Sequence, residues 1–509
     1  MISKSPYSGV SLRLEIWHFL TGKIASAVMT FVILLWIVRL LPVTEYGVYV
    51  TLVAQLELAI AISGLGLPWL AARYLPDYRL HASGAKIQRL ARLLLIWLAV
   101  SLAIFTGLLG AGLPHYLSWT GLTAFQEAAT LYLLVLYIEG IGRLVIVSLL
   151  SPLMQQRVVR SSLVLRQLML FALLLLTSFF HDMQLVDVVR AELVASFLGT
   201  SLAIIGLWKH LASLKCVTSK PDWEEPRLAE MWRTSLNMYV AYLLTLLYSP
   251  QVFQVVVLRA LGAEAAAIFG FLRSLYVQVA HYLPAALLFN LIRPKLVASF
   301  VGGGGIKELG RNANMAGKLS LFGLMPLIVF AAVGGADLIS WLSGARFTDT
   351  GFLFLGFMLA LIPFSQRQLM ESMAVATGHA GLCPRAAASG LLMPPLMMGL
   401  LNLGLGLWAP IIALALGHLL FNLVILFYLA RYTGYRPDLA GFYKLITAAA
   451  VGFLGTVWLP PLSPLWLQVL VHAAMVMVAF LFIAWLIKPF AEGERDRINC
   501  LIKRPLFIW

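Results

Sequence analysis

Apolar runs of membrane-spanning length recur from one end of this chain to the other, and they constrain its fold more than any other feature. A helix needs about 20 apolar residues to cross the hydrocarbon core of a bilayer. On that criterion the sequence predicts about fourteen spans, near 17–41, 47–72, 91–112, 127–150, 162–180, 188–208, 234–258, 264–290, 319–343, 350–377, 385–404, 408–430, 441–459 and 464–487. Of 509 residues, 61% are hydrophobic and 12% charged, against about 25% charged in soluble domains. The deficit is spread over the whole length. The expected fold class is therefore an all-α polytopic membrane protein. The first run follows a short polar lead and has no small-residue cleavage site, so it is expected to stay as a span.

The net charge is +15, from 37 Lys and Arg against 22 Asp and Glu. With the N-terminus placed in the cytoplasm, the great majority of the basic residues fall on the cytoplasmic side. Arg73, Arg79, Lys86, Arg89 and Arg92 follow the second span, Lys209 to Arg233 the sixth, Arg293 to Lys318 the eighth, and Lys488 to Arg504 the last. The sequence thus predicts a multi-pass protein of the bacterial inner membrane with both termini cytoplasmic. The positive charge reads as topology and contact with anionic membrane lipids, not as a nucleic-acid surface. Cys216, Cys383 and Cys500 are isolated, with no metal or redox spacing. Gly302 to Gly305 lacks the Lys-Ser/Thr of a phosphate loop. The outside loops, of which 113–126 is the longest, hold no catalytic domain, which argues against a membrane polymerase or ligase. The expectation is no enzyme and no cofactor, with work done by an ion gradient or the membrane potential.

Arg39 and Arg73 are 34 residues apart, as are Arg259 and Arg293, and the second pair is the first shifted by 220. Each pair brackets the second helix of a hairpin. This predicts a parallel repeat: an N-lobe over 1–208 (six spans), a cytoplasmic linker over 209–233, a C-lobe over 234–430 (six spans), and a helix pair with a basic tail over 431–509.

Lys23, Glu57, Glu139, Arg143, Arg273, Arg367 and Glu371 lie well inside predicted spans. Facing lipid, they would cost on the order of 20 kcal/mol together. They must face one another or water, and the cleft between two lobes is the natural place. Glu139 and Arg143 are four apart on span four, and Arg367 and Glu371 four apart on span ten, so each pair shares a helix face. Two readings stay open for them: self-neutralising pairs, or the polar lining of a substrate path. Lys23, Arg273, Glu57, Arg143 and Arg367 are candidates for a substrate-binding central cavity, the four cations for an anionic headgroup. Glu57, Glu139 and Glu371 are candidates for ion coupling, and Glu57 is equally a counter-ion to one of the cations. His281, His418 and His472 read as packing residues. Pro363 and Pro394-Pro395 read as ordinary kinks.

The stretches Arg39-Leu-Leu-Pro-Val-Thr-Glu-Tyr-Gly-Val-Tyr49, Gly64-Leu-Gly-Leu67 and Arg73-Tyr-Leu-Pro-Asp-Tyr-Arg79 resemble the polysaccharide transporter family. Its members are the O-antigen, exopolysaccharide and teichoic-acid flippases of the multidrug/oligosaccharidyl-lipid/polysaccharide (MOP) exporter superfamily. The motif match is confined to the first two spans. The resemblance implies two six-helix lobes in a V around a central cationic cavity, and alternating access carrying an undecaprenyl-diphosphate-linked oligosaccharide outward. It also implies cavity cations on the first and eighth helices, where Lys23 and Arg273 stand, and a C-terminal helix pair forming a groove for the lipid tail. The implied partners are the lipid-linked oligosaccharide and the polymerase and assembly proteins of a surface polysaccharide. A cation-coupled drug exporter of the same superfamily is the alternative, kept open by Glu57, Glu139 and Glu371.

Overall fold

The structure, a computed structural model, describes residues 28–214, 223–283, 305–379 and 381–502. The regular elements among them are helices. In the first half these are α1 (Val28–Leu40), α2 (Val43–Ser63), α3 (Leu67–His81), α4 (Gly84–Thr120), α5 (Gln126–Val145), α6 (Gln156–Phe180), α7 (Leu185–Ser213) and α8 (Leu228–Leu246). The second half continues with α9 (Pro250–Tyr282), α10 (Gly305–Ser343), α11 (Gly351–Ala376), α12 (Leu382–Ser389), α13 (Met393–Asn402), α14 (Trp408–Thr433), α15 (Leu439–Thr456), α16 (Leu465–Ile487) and α17 (Glu492–Ile502). Among the described residues eleven segments are long and apolar enough to cross a membrane, and one of them, Leu228–Tyr282, takes in both α8 and α9.

The apolar runs locate the helices, while the interruptions follow local backbone chemistry. The span expected over 47–72 starts at Val43, directly after Pro42, and breaks at Gly64-Leu65-Gly66. Leu65 and Gly66 take left-handed φ values of 47° and 79°, and a Cβ on Gly66 would meet the Tyr239 side chain at 3.2 Å. Glycine answers both demands. The boundary expected between 258 and 264 falls instead at 247–249. Ser249 accepts from the Val252 amide at 3.4 Å and Pro250 opens the first turn, a strong helix start. Gly262, with φ 88°, leaves only a kink inside α9. The span expected over 385–404 is two short helices joined by a 3-10 turn at Gly390–Leu392. Pro394 and Pro395 lie in the first turn of α13, where no helical hydrogen bond is lost. Only α1 is described from the span expected over 17–41.

Contacts divide the chain into two units, Met1–Leu246 with Gln254–Ala267, and Leu247–Phe253 with Ile268–Trp509. In the first, Ser162 Oγ donates to Gly199 O at 2.7 Å and Thr200 Oγ1 to Ile138 O at 3.0 Å, pinning α6 to α7 and α7 to α5. In the second, α11 packs against both α10 and α14, and α15 and α16 lie against α10.

Lys318, read from the sequence as one of the cytoplasmic-side charges, is drawn into the fold. Lys318 is fully buried, and its Nζ lies 2.6 Å from both Asp438 Oδ2 and Glu494 Oε2. Asp438 also accepts from the Gly441 amide at 3.1 Å, capping α15. Glu494 accepts from the Ala491 amide at the start of α17. One ammonium thus ties α10, α15 and α17 together.

Candidate functional site

In the first unit the predicted Glu139–Arg143 pair is one edge of a larger network. Arg143 Nε meets Glu139 Oε1 at 2.7 Å, and Arg166 Nε meets Glu139 Oε2 at 2.7 Å. Arg166 Nη2 reaches Glu192 Oε1 at 3.4 Å, and the Tyr49 hydroxyl donates to the same oxygen at 3.3 Å. Three helices, α5, α6 and α7, supply the charges and α2 the phenol. Glu57 on α2 adds its field at Arg143. The Arg166 side chain is only 9% exposed, whereas that of Arg143 is 38% exposed. Both oxygens of Glu139 are engaged. Glu192 Oε2 is buried without a hydrogen-bond partner among the described residues.

The second unit holds a related arrangement. Arg367 Nε lies 3.5 Å from Glu371 Oε1. Its guanidinium sits 4.1 Å from the Phe421 ring centre and 6.0 Å from that of Tyr248. Its Nη1 faces His418 Nδ1 at 3.4 Å, so that ring nitrogen accepts. Arg367 is buried and Glu371 is 37% exposed. Asn422 Nδ2 donates to Pro363 O at 2.7 Å beside this cluster, tying α14 to α11. Arg273 is buried on α9, which keeps it off a lipid-facing surface. Lys23 lies outside the described residues.

Arg166 and Glu192 were not among the predicted site residues. The boundary drawn at 162 places Arg166 about one turn from a helix end, but α6 begins at Gln156 and carries it to mid-helix. The signal was present in the small residues of α7: Ser196 and Gly199 lie one and two turns beyond Glu192 on its face. They open space for a neighbouring side chain, and Arg166 fills it, its Cβ lying 2.8 Å from where a Gly199 Cβ would stand.

The motif residues that carry the family resemblance do structural work. Glu45 Oε2 accepts from the Leu185 amide at 2.5 Å, capping α7. Tyr46 is fully buried. A Cβ on Gly47 would come within 1.9 Å of Ala263 O, so α2 and the 263–267 segment touch backbone to backbone. In the Arg73–Arg79 stretch, Asp77 accepts from Trp223 Nε1 at 3.1 Å and Tyr78 donates to Glu225 at 3.3 Å, anchoring the end of the linker.

Comparison with known proteins places this architecture. The model of the polysaccharide biosynthesis protein family matches residues 15–287, more than half of the chain. No curated protein sequence matches significantly. Among solved structures, the lipid II flippase MurJ in an inward closed conformation is similar with a TM-score of 0.60 at 12% identity, over 94% of this chain and 99% of that one. An inward-facing multidrug-resistance MATE transporter of the MOP superfamily is similar with a TM-score of 0.59 at 15% identity, over 79% and 93%. A point mutant of the Vibrio cholerae MATE transporter VcmN is similar with a TM-score of 0.55 at 14% identity, over 83% and 97%. The fold is that of these transporters, and the chain belongs to the polysaccharide biosynthesis protein family.

Proposed function

We propose that the protein is a flippase that moves an undecaprenyl-diphosphate-linked oligosaccharide from the cytoplasmic to the periplasmic leaflet by alternating access. The observation that carries this reading is the exposure of the two charge pairs on α5 and α11. In each unit one member is buried and its partner is open: Glu139 under Arg143, Arg367 under Glu371. A charge left open within a span and facing lipid would cost up to roughly 2.5–3.5 kcal/mol, the value at the helix centre. The open members are therefore assigned to a water-filled path rather than to lipid, Arg143 as a contact for the diphosphate and Glu371 for sugar hydroxyls, and Arg273 is proposed as a further diphosphate-binding cation. Lys23 is assigned to the same path from the first span, and Glu57 to its wall.

Chain length favours a lipid-linked cargo over a small cation-coupled drug. The MATE structures account for about four-fifths of this chain but nearly all of themselves, while the MurJ structure accounts for nearly all of both. The surplus over the MATE proteins is larger than the stretch from α15 to α17, so it has room for those helices. We assign that trailing pair to the polyprenyl tail.

The test is a gene deletion followed by analysis of lipid-linked intermediates. A flippase predicts accumulation of a diphosphate-linked oligosaccharide on the cytoplasmic leaflet, rescued by the wild-type gene but not by Arg273→Ala at equal membrane abundance. Unchanged lipid intermediates together with new drug sensitivity would reverse the choice in favour of the exporter.

A further inference from the structure

An open groove of about 570 Å³ runs along the first turns of α4, lined by Gln88, Arg89, Arg92, Leu93, Ile96 and Trp97. Nothing in the transport path above uses it. Its chemistry changes from one end to the other. At the top, Lys86 is neutralised by Glu225 at 3.2 Å, and Gln88 is occupied by the Leu211 carbonyl. That leaves Arg89 and Arg92, both exposed and neither in an ion pair among the described residues. Arg92 lies with its guanidinium 5.6 Å from the Trp208 ring centre, which fixes the head and leaves donors free at its edge. Below them Ile96 is 61% exposed and Trp97 49%, with Trp97 held 5.8 Å from Trp232. Val100 and Ile104 continue the exposed face at four-residue spacing.

That order is the order of a phospholipid: anion, interface, hydrocarbon. Residues three and four apart share a helix face, so Arg89, Arg92, Ile96, Val100 and Ile104 form one stripe. From Arg92 to Ile104 the helix rises about 18 Å, close to half of the roughly 30 Å hydrocarbon thickness. Tryptophan prefers the boundary between headgroup and acyl chain, where Trp97 stands. Two guanidiniums side by side match a phosphate better than ammonium groups, because each offers a planar fork.

We propose that this groove is a binding site for an anionic phospholipid of the cytoplasmic leaflet, with its phosphate held by Arg89 and Arg92 and one acyl chain along Ile96, Val100 and Ile104. The site is separate from the transport path and does not depend on what the protein carries.

Native mass spectrometry of the detergent-purified full-length protein, titrated with phosphatidylglycerol, tests it. The wild type should retain one more phosphatidylglycerol than R89Q/R92Q. Apparent affinity should fall about tenfold or more for each arginine removed, the loss of one charge-assisted hydrogen-bonded contact. R385Q/R431Q, an equal charge change on exposed residues of the other unit, should bind as the wild type. Phosphatidylcholine should not fill the site, and inorganic phosphate should not displace the lipid. R89K/R92K, which keeps the charge and loses the fork, should bind with intermediate affinity, and it serves as the second variant if the glutamine pair is poorly produced. Equal retention by wild type and both arginine variants, equal binding of phosphatidylcholine, or displacement by free phosphate would each overturn the proposal. So would mole-for-mole displacement by a polyprenyl diphosphate, which would make the groove a cargo dock.

Discussion

Arg143 and Arg166 share one carboxylate but sit in different surroundings, and the difference predicts opposite phenotypes. Arg166 lies between Glu139 and Glu192 with almost no exposure. Arg166→Met leaves two buried carboxylates facing each other and should lower stability by about 3–5 kcal/mol, the cost of breaking a buried pair. Arg143→Met removes a half-open partner and leaves the Arg166 bond to Glu139 in place, so its cost should stay near or below about 1 kcal/mol. Under the proposed function, transport should rank the other way: Arg143→Met protein should fold and fail to export, because its open guanidinium is the part assigned to the cargo. Thermal unfolding in detergent beside an export assay separates the two, and comparable stability losses in both variants would remove the distinction. The pair at 139 and 143 was legible from its four-residue spacing alone. The third and fourth members were not, since which turns of α5, α6 and α7 face one another depends on small residues such as Gly199 and Thr200 rather than on the charges.

The signature of an element can hide what it is for, and the Glu45-Tyr46-Gly47 stretch is the example. The resemblance marks it as a family motif, yet its residues cap α7, fill the core and let α2 approach Ala263. Gly47→Ala places a methyl inside the van der Waals radius of a carbonyl oxygen, on backbone that cannot swing away as a side chain does. Overpacking of this kind costs about 1–3 kcal/mol or more, and the prediction is a sharp loss of monodisperse protein in size-exclusion profiles. A normal profile would show that α2 slides freely. At the other end of the chain, Lys318 makes docking of α17 depend on charge. Burial alone would raise the Asp438 carboxyl, but hydrogen bonds from Lys318 Nζ and the Gly441 amide outweigh it and hold it below its ordinary value. A depressed carboxylate stabilises above its unfolded value and loses that contribution only as pH falls through the folded one. Docking should therefore be unchanged between about pH 8 and pH 6, while Asp438→Asn or Glu494→Gln should speed amide exchange across α17. Exchange that instead quickens in wild type over that range would place the control elsewhere. The span boundary at 319 leaves Lys318 just outside, among the cytoplasmic-side charges; only the long fold-back of residues 438 and 494 onto α10 buries it.

For the whole molecule, if the cargo is the proposed diphosphate-linked glycan, the question is what drives it in one direction, and elementary electrostatics supplies an answer that needs no titrating carboxylate. A cell interior is electrically negative, so an anionic headgroup leaving it moves downhill. Each elementary charge crossing the full field is worth about 2.3 kcal/mol per 100 mV, and a diphosphate carrying about two charges would gain on the order of 4–5 kcal/mol on the same scale. A bias of that size exceeds a thousandfold in equilibrium, enough to empty the cytoplasmic leaflet of cargo if the path only shields the charge. The two networks suit shielding: Glu139 has both oxygens engaged by guanidiniums, and Arg367 is enclosed by Phe421, Tyr248 and Glu371. Glu57 and Glu371 are the remaining predicted carboxylates with any opening. In proteoliposomes loaded with a labelled polyprenyl-diphosphate glycan, a potassium diffusion potential negative on the loading side should accelerate translocation. Reversing its sign should slow it, and a pH gradient at clamped potential should change little. Glu371→Gln should leave the voltage response intact. A rate that follows the pH gradient and is lost in Glu371→Gln would instead make that carboxylate the coupling group, and the potential a bystander.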